Sequence, residues 1–280
     1  MSNTNTLTQT GTLHRIVVAT DGTDASAGAV RTGVALARAH GARLIGLSIA
    51  LDNPEYSTLV PNLQEAAERN AREALKSFID EAGPGAETVT RDATDPVQGI
   101  AAAADELNAD LIVMGRQNKG ALGRLLVGHT TAGVIGAGAT PVLVVPRAAR
   151  LWEKRVLLAT DGSSYSQAAA AAAGRVAAQT GLPVSVVSVV TTSHNDTRRK
   201  EAERAVATAL EHLRSLGLAA DGEVAEGRPD EAIVRAAESA GADLIVLGSR
   251  GRTGLTKVLM GSVAERVIGH AACPVLVVKP

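Results

Sequence analysis

Aromatic side chains are nearly missing from this chain, which has one Trp, two Tyr and one Phe in 280 residues although 45% of its residues are hydrophobic. Its cores must therefore be assembled from Ala, Val, Leu and Ile, a palette that suits helices packed on a buried parallel sheet. Cysteine is reduced to Cys273, which excludes an internal disulfide framework and fits a reducing compartment. Pro274 beside it opens an apolar strand, so inert burial is the role expected of that thiol. A formal net charge of −1 leaves no broad basic field to draw the chain onto nucleic acid or anionic membranes, and neither partner is expected. No uncharged apolar run approaches the ~18 residues that a membrane span requires. Residues 1–12, MSNTNTLTQTGT, lack the basic start and apolar core of an export signal and read as a disordered tail. A soluble cytoplasmic protein is expected.

Several chemistries are missing too. His14, His40, His129, His194, His212 and His270 show no paired ligand spacing and have no cysteine cluster beside them, so no metal site is assigned. His40 and His270 fall at predicted helix ends, where they would compensate the dipole. Ser163, Ser164 and Ser166 lack a Gly-x-Ser-x-Gly elbow, and Ser163 reads as a helix N-cap; no catalytic residue is assigned. The run GRTGLTK resembles a P-loop only loosely, because its spacing fails, and no Gly-x-Gly-x-x-Gly follows either first strand. The charged runs EAAERNAREALKSF and RRKEAERAVATALEHLRS read as solvated helix faces.

What is present is a repeat. HRIVVATDGTDAS from His14 returns as KRVLLATDGSSYS from Lys154, an offset of 140 positions. ADLIVMGR from Ala109 returns as ADLIVLGS from Ala242, and TPVLVVP from Thr140 as CPVLVVK from Cys273, each at an offset of 133. Each half alternates short β-branched runs with longer Ala-rich stretches, the pattern of βαβ units in a parallel sheet. The predicted fold class is α/β, with two tandem open parallel five-stranded sheets and flanking helices. Strands are expected near Arg15–Thr20, Arg43–Ala50, Glu87–Arg91, Leu111–Gly115 and Val142–Val145, then near Arg155–Thr160, Val184–Val190, Gly222–Glu226, Leu244–Gly248 and Val275–Val278. One domain is expected over 13–147, a linker over 148–153 and a second domain over 154–280, with Trp152 packing the linker onto a domain.

In open α/β sheets ligands sit beyond the carboxyl ends of the strands, so the segments after the first and fourth strands of each half matter most. After its fourth strand the second half reads GSRGRTGLTKVLMGSVAERVIG: Gly248, two residues, Gly251, nine residues, then Gly261 and Ser262 opening a helix. Glycines let the backbone approach phosphate oxygens, and a helix start adds free N–H groups and a positive dipole end. Ser262 is placed either to cap that helix or to donate to a terminal phosphate, while Arg250, Arg252 and Lys257 add positive charge.

The spacing of Gly248, Gly251, Gly261 and Ser262, the acidic residue ending strand one and the closing PVLVV strand resemble the universal stress protein family, in two copies over nearly the whole chain. The resemblance implies an adenine nucleotide, ATP together with Mg²⁺ as a charge-neutralising ion, held mainly by the second half. By that resemblance Asp161 would contact the nucleoside and the backbone at Val189 the adenine. Ala159, Thr160, Arg250, Gly254 and Val263 complete the implied set with the loop residues. In the first half the matching positions are Asp21, Ile49, Gly115, Gly128, His129 and Thr130. Asp21 and Asp161 also suit a turn with the glycine that follows each, Gly22 and Gly162. The first half departs from the pattern, with Asn118 at the second glycine and His129 at the serine, which implies weakened binding or a structural role. It also implies pairing of the two domains through their last strands, with a homodimer as a further state. The function expected is stress-related regulation by nucleotide occupancy, with slow ATP hydrolysis and a ligand-free scaffold as alternatives.

Overall fold

The computed structural model describes residues 13–52, 62–116, 127–191, 196–252 and 260–280. The first half runs β1 (Arg15–Ala19), α1 (Ala27–His40), β2 (Arg43–Leu51), α2 (Leu63–Ala82), β3 (Glu87–Ala93), α3 (Pro96–Glu106), β4 (Leu111–Gly115), α4 (His129–Ala137) and β5 (Val142–Val145). The second half repeats the order with β6 (Val156–Ala159), α5 (Ser164–Thr180), β7 (Val184–Val190), α6 (Asp196–Ser215), β8 (Ala220–Glu226), α7 (Pro229–Ala240), β9 (Leu244–Gly248), α8 (Ser262–His270) and β10 (Val275–Val278). Local chemistry fixes these bounds. In α5, for example, the Ser163 Oγ accepts the Ser166 N–H at 3.3 Å, an Ala-rich run follows, and Gly181 ends the helix at φ +70°.

The strand order is β3-β2-β1-β4-β5-β10-β9-β6-β7-β8, a ten-stranded α/β sheet that is parallel throughout except where β5 meets β10. There Val144, Leu143 and Val142 lie opposite Val275, Leu276 and Val277 in antiparallel register. The two five-stranded sheets are therefore continuous edge to edge.

Strand side chains alternate between faces with a period of two. Ile16 and Val18 join one buried cluster, with α1, α2, α5 and α6, while Val17 and Ala19 join the other, with α3, α4, α7 and α8. Both clusters run through β5 and β10 and so span the two halves. Trp152 is buried in the first of them, packed as the sequence suggested. Phe78, the single Phe, is fully buried against β2, where a Cβ on Gly46 would lie 2.5 Å from its ring. Glycine there makes room for the Phe78 ring.

Aspartates in the repeated ADLIV motif pin the chain leading into the first strand of each half. The Asp110 Oδ2 accepts the N–H groups of His14 and Arg15 at 2.7 and 2.8 Å, and Asp243 accepts those of Glu153, Lys154 and Arg155. Across the β5–β10 line, two cations sit on the other half's final helix. The Arg116 guanidinium donates to the Ile268 O at 3.0 Å and the Ala271 O at 2.5 Å, at the end of α8. The Lys279 ammonium donates to the Gly136 O at 3.1 Å and also to the Gly138 O, at the end of α4. Positive charge there meets orphan carbonyls and the negative dipole end.

His40 ends α1, as expected, and burial lowers its pKa. Burial pushes the Cys273 thiol up to about 11, in keeping with an inert thiol. No described helix is long and apolar enough to cross a membrane.

Two predictions follow from this packing. Phe78→Ala is expected to cost roughly 3–5 kcal/mol, read from the urea midpoint followed through Trp152 emission; a loss below ~1 kcal/mol would contradict the packing. Burial, then Arg250, lowers the Lys279 pKa to about 8, so between that pH and its ordinary value near 10.5 the unfolded chain holds the extra proton. Stability gained as pH rises through that window should be smaller in Lys279→Met, measured by denaturation at pH 7.5 and 9.5.

Candidate functional site

At the carboxyl end of β6 the chain turns sharply into α5. Gly162 takes φ +79°, and the Asp161 Oδ1 accepts the Ser163 N–H at 3.0 Å, closing the Asx turn. Thr160 is buried; its Oγ1 donates to the Ser166 Oγ at 3.2 Å and accepts the Gly162 N–H at 3.3 Å. Ala159 is buried just before it, so both residues build the floor of the turn. The other carboxylate oxygen points outward across the crevice.

That oxygen reaches the glycine loop after β9. The Asp161 Oδ2 accepts the Arg252 N–H at 2.7 Å, and a Cβ added to Gly251 would lie 2.8 Å from it. Glycine at 251 thus lets the loop rest on the aspartate, and any side chain there displaces the carboxylate. Gly248 is equally confined, because its Cβ would meet the Tyr165 Cβ at 2.7 Å. The Gly261 N–H donates to the Ser249 O at 2.8 Å, and a Cβ there would lie 3.3 Å from the same oxygen.

Gly261, not Ser262, occupies the N-cap position of α8, and no side chain caps the helix. Ser262 is the exposed first helical residue, so its hydroxyl does not cap, which corrects one expected use and leaves the other open. The first-turn amides of α8 are left to an external acceptor. Val263 is half-buried against the core, and Val189 is half-buried at the end of β7 opposite Ala225.

The arginines are engaged elsewhere. The Arg250 guanidinium stands 5.9 Å from the Tyr165 ring centroid and donates to its hydroxyl at 3.4 Å. Arg252 pairs with Glu201 of α6 at 2.9 Å, and its hydrogen bond holds the Glu201 carboxyl below the usual range. Glu201 is thus not merely part of a solvated face, although the pair stays partly exposed and is screened by solvent. Gly254 and Lys257 lie outside the described residues.

The corresponding crevice of the first half is an open cavity of about 380 Å³. Asp21, Ile49, Gly115, Gly128 and Thr130 line it as the sequence placed them, together with Ser48. His129 does not: it is exposed at the start of α4 and outside the lining, with Thr130 and Thr131 facing the cavity instead. Asp21 is exposed and its Oδ1 accepts from the Thr23 N–H and hydroxyl at 3.1 and 2.7 Å. Asn118 lies outside the described residues. Among the described residues no group of three His, Cys, Asp or Glu can hold a metal.

A doubly wound sheet with glycine-lined crevices at its carboxyl ends is the α/β arrangement in which ligands sit beyond the strand ends. The model of the universal stress protein family matches residues 12–146 and again 153–279, and the chain belongs to that family. A universal stress protein of Mycolicibacterium smegmatis is 27% identical over 98% of this chain and 100% of its own length. One from Methanocaldococcus jannaschii is 37% identical over 139 residues, 45% of this chain and 82% of the relative. The crystal structure of a universal stress protein from Archaeoglobus fulgidus shares the fold, with a TM-score of 0.69 at 24% identity over 95% of this chain and 96% of that one.

Removing the Asp161 carboxylate tests whether it holds the loop. Asp161→Ala is expected to lower hydrogen-exchange protection at the Arg252 amide by about tenfold or more. Unchanged protection would show that the loop is held without it.

Proposed function

We propose that this universal stress protein binds an adenine nucleotide, ATP with Mg²⁺, in its second half, and that occupancy biases an interaction in a stress response. The observation that carries this reading is the uncapped start of α8 at Gly261, set beside a loop whose glycines at 248 and 251 allow no Cβ without displacement. Amides of Ser262 and Val263 would receive phosphate oxygens. Asp161 would accept hydrogen bonds from sugar hydroxyls, for which the Arg252 amide must give way.

The donor set fits a polyphosphate better than it fits a bound cation. With no carboxylate cluster among the described residues, Mg²⁺ would arrive on the phosphates and supply charge neutralisation. Turnover is not required for such a switch. The scaffold reading draws support from the β5–β10 join, which needs no ligand.

Gly261→Leu tests the site directly. It is expected to lower Mg·ATP affinity of the full chain by at least about a hundredfold, as measured by calorimetric titration, while the urea midpoint moves little. Retained affinity would place the phosphates elsewhere. ADP release that depends on Gly261 and exceeds background would add hydrolysis to the function.

A further inference from the structure

Asp230, in the first turn of α7, is a carboxylate with only 1% of its surface exposed. Its Oδ2 accepts the Arg228 guanidinium at 2.8 Å. Its Oδ1 stands 3.8 Å from the Arg266 guanidinium of α8, within ion-pair reach, and has no hydrogen-bond partner among the described residues. Charge is costly to bury unless it is paired, and apolar packing often serves stability as well. The first half displays that apolar solution. At the equivalent positions, offset by 133, stand Val97 and Gly133, and a Cβ on Gly133 would lie 2.5 Å from the Val97 Cγ2. There α3 and α4 meet in close apolar contact, whereas a charge pair joins α7 to α8.

We infer that Asp230 is a positioning residue for the phosphate site: through Arg266 it fixes where the start of α8 stands, and so where the amides of Ser262 and Val263 point. The inference rests on the second-half reading, in which those amides receive phosphate oxygens. Arg266 lies about one helical turn beyond Ser262, so a hold on its side chain acts on the first turn of α8. That turn has no side-chain cap of its own to steady it. Asp230 is itself anchored to α7, where the dipole favours an anion in the first turn and Arg228, also paired with Glu231 at 3.0 Å, holds the second oxygen. Because Asp230 is buried, its pair with Arg266 is screened less than a surface pair. The carboxylate thus grips α7 with one oxygen and offers the other to α8.

The test uses the full chain. In the ligand-free protein Asp230→Asn, which keeps the shape and removes the charge, is expected to move the backbone amide NMR signals of Ser262 and Val263 while that of Arg252 stays in place. In calorimetric titration it should weaken Mg·ATP by about tenfold at the site that Gly261→Leu removes, with the urea midpoint little changed. Arg266→Gln should give a similar loss, and the double variant no more than either single one, because the two side chains act as one link. Unmoved Ser262 and Val263 signals, unchanged Mg·ATP affinity, or losses that add would each overturn the inference. An Mg·ATP isotherm that Gly261→Leu leaves intact would overturn the second-half reading and the phosphate role with it, whereas the link from Asp230 to α8 would still be read from the NMR signals.

Discussion

Burial of both faces of the sheet is the constraint from which the rest follows. Strand residues must be apolar on alternate sides, and the clusters they form run unbroken from the first half into the second. With so few aromatics, close packing depends on small side chains, and Gly46 under Phe78 shows how one large ring is accommodated. Because the faces are covered, only the strand ends are open to ligands. The β5–β10 contact then carries both crevices on one rigid sheet, with Arg116 and Lys279 fastening each half's last helix from the other side.

Within that frame, a missing Cβ shapes the second crevice. At Gly251 the loop descends onto Asp161, which brings the uncapped start of α8 and the aspartate into one arrangement. The first crevice is open, with Asp21 and the helix start at Gly128 among its lining residues. The duplicated halves share a fold.

Most of the architecture was legible because a repeat shows it twice. The strand positions and the TDG turns recur, and each recurs for a backbone reason that sequence displays. The Ser163 cap was legible for the same cause. Long-range partners were not: the match of Arg116 to α8, of Lys279 to α4 and of Arg252 to Glu201 joins residues that no local pattern links. Asp110 and Asp243 could have been found, since they recur at a fixed offset in ADLIV. The N-cap at Gly261 escaped because Ser262 beside it is the commoner capping residue type.

The most direct test of the central claim is a crystal structure of the full chain grown with excess Mg·ATP. Phosphates resting on the amides at the start of α8 is the predicted result. An α8 start covered by the protein's own side chains would contradict it.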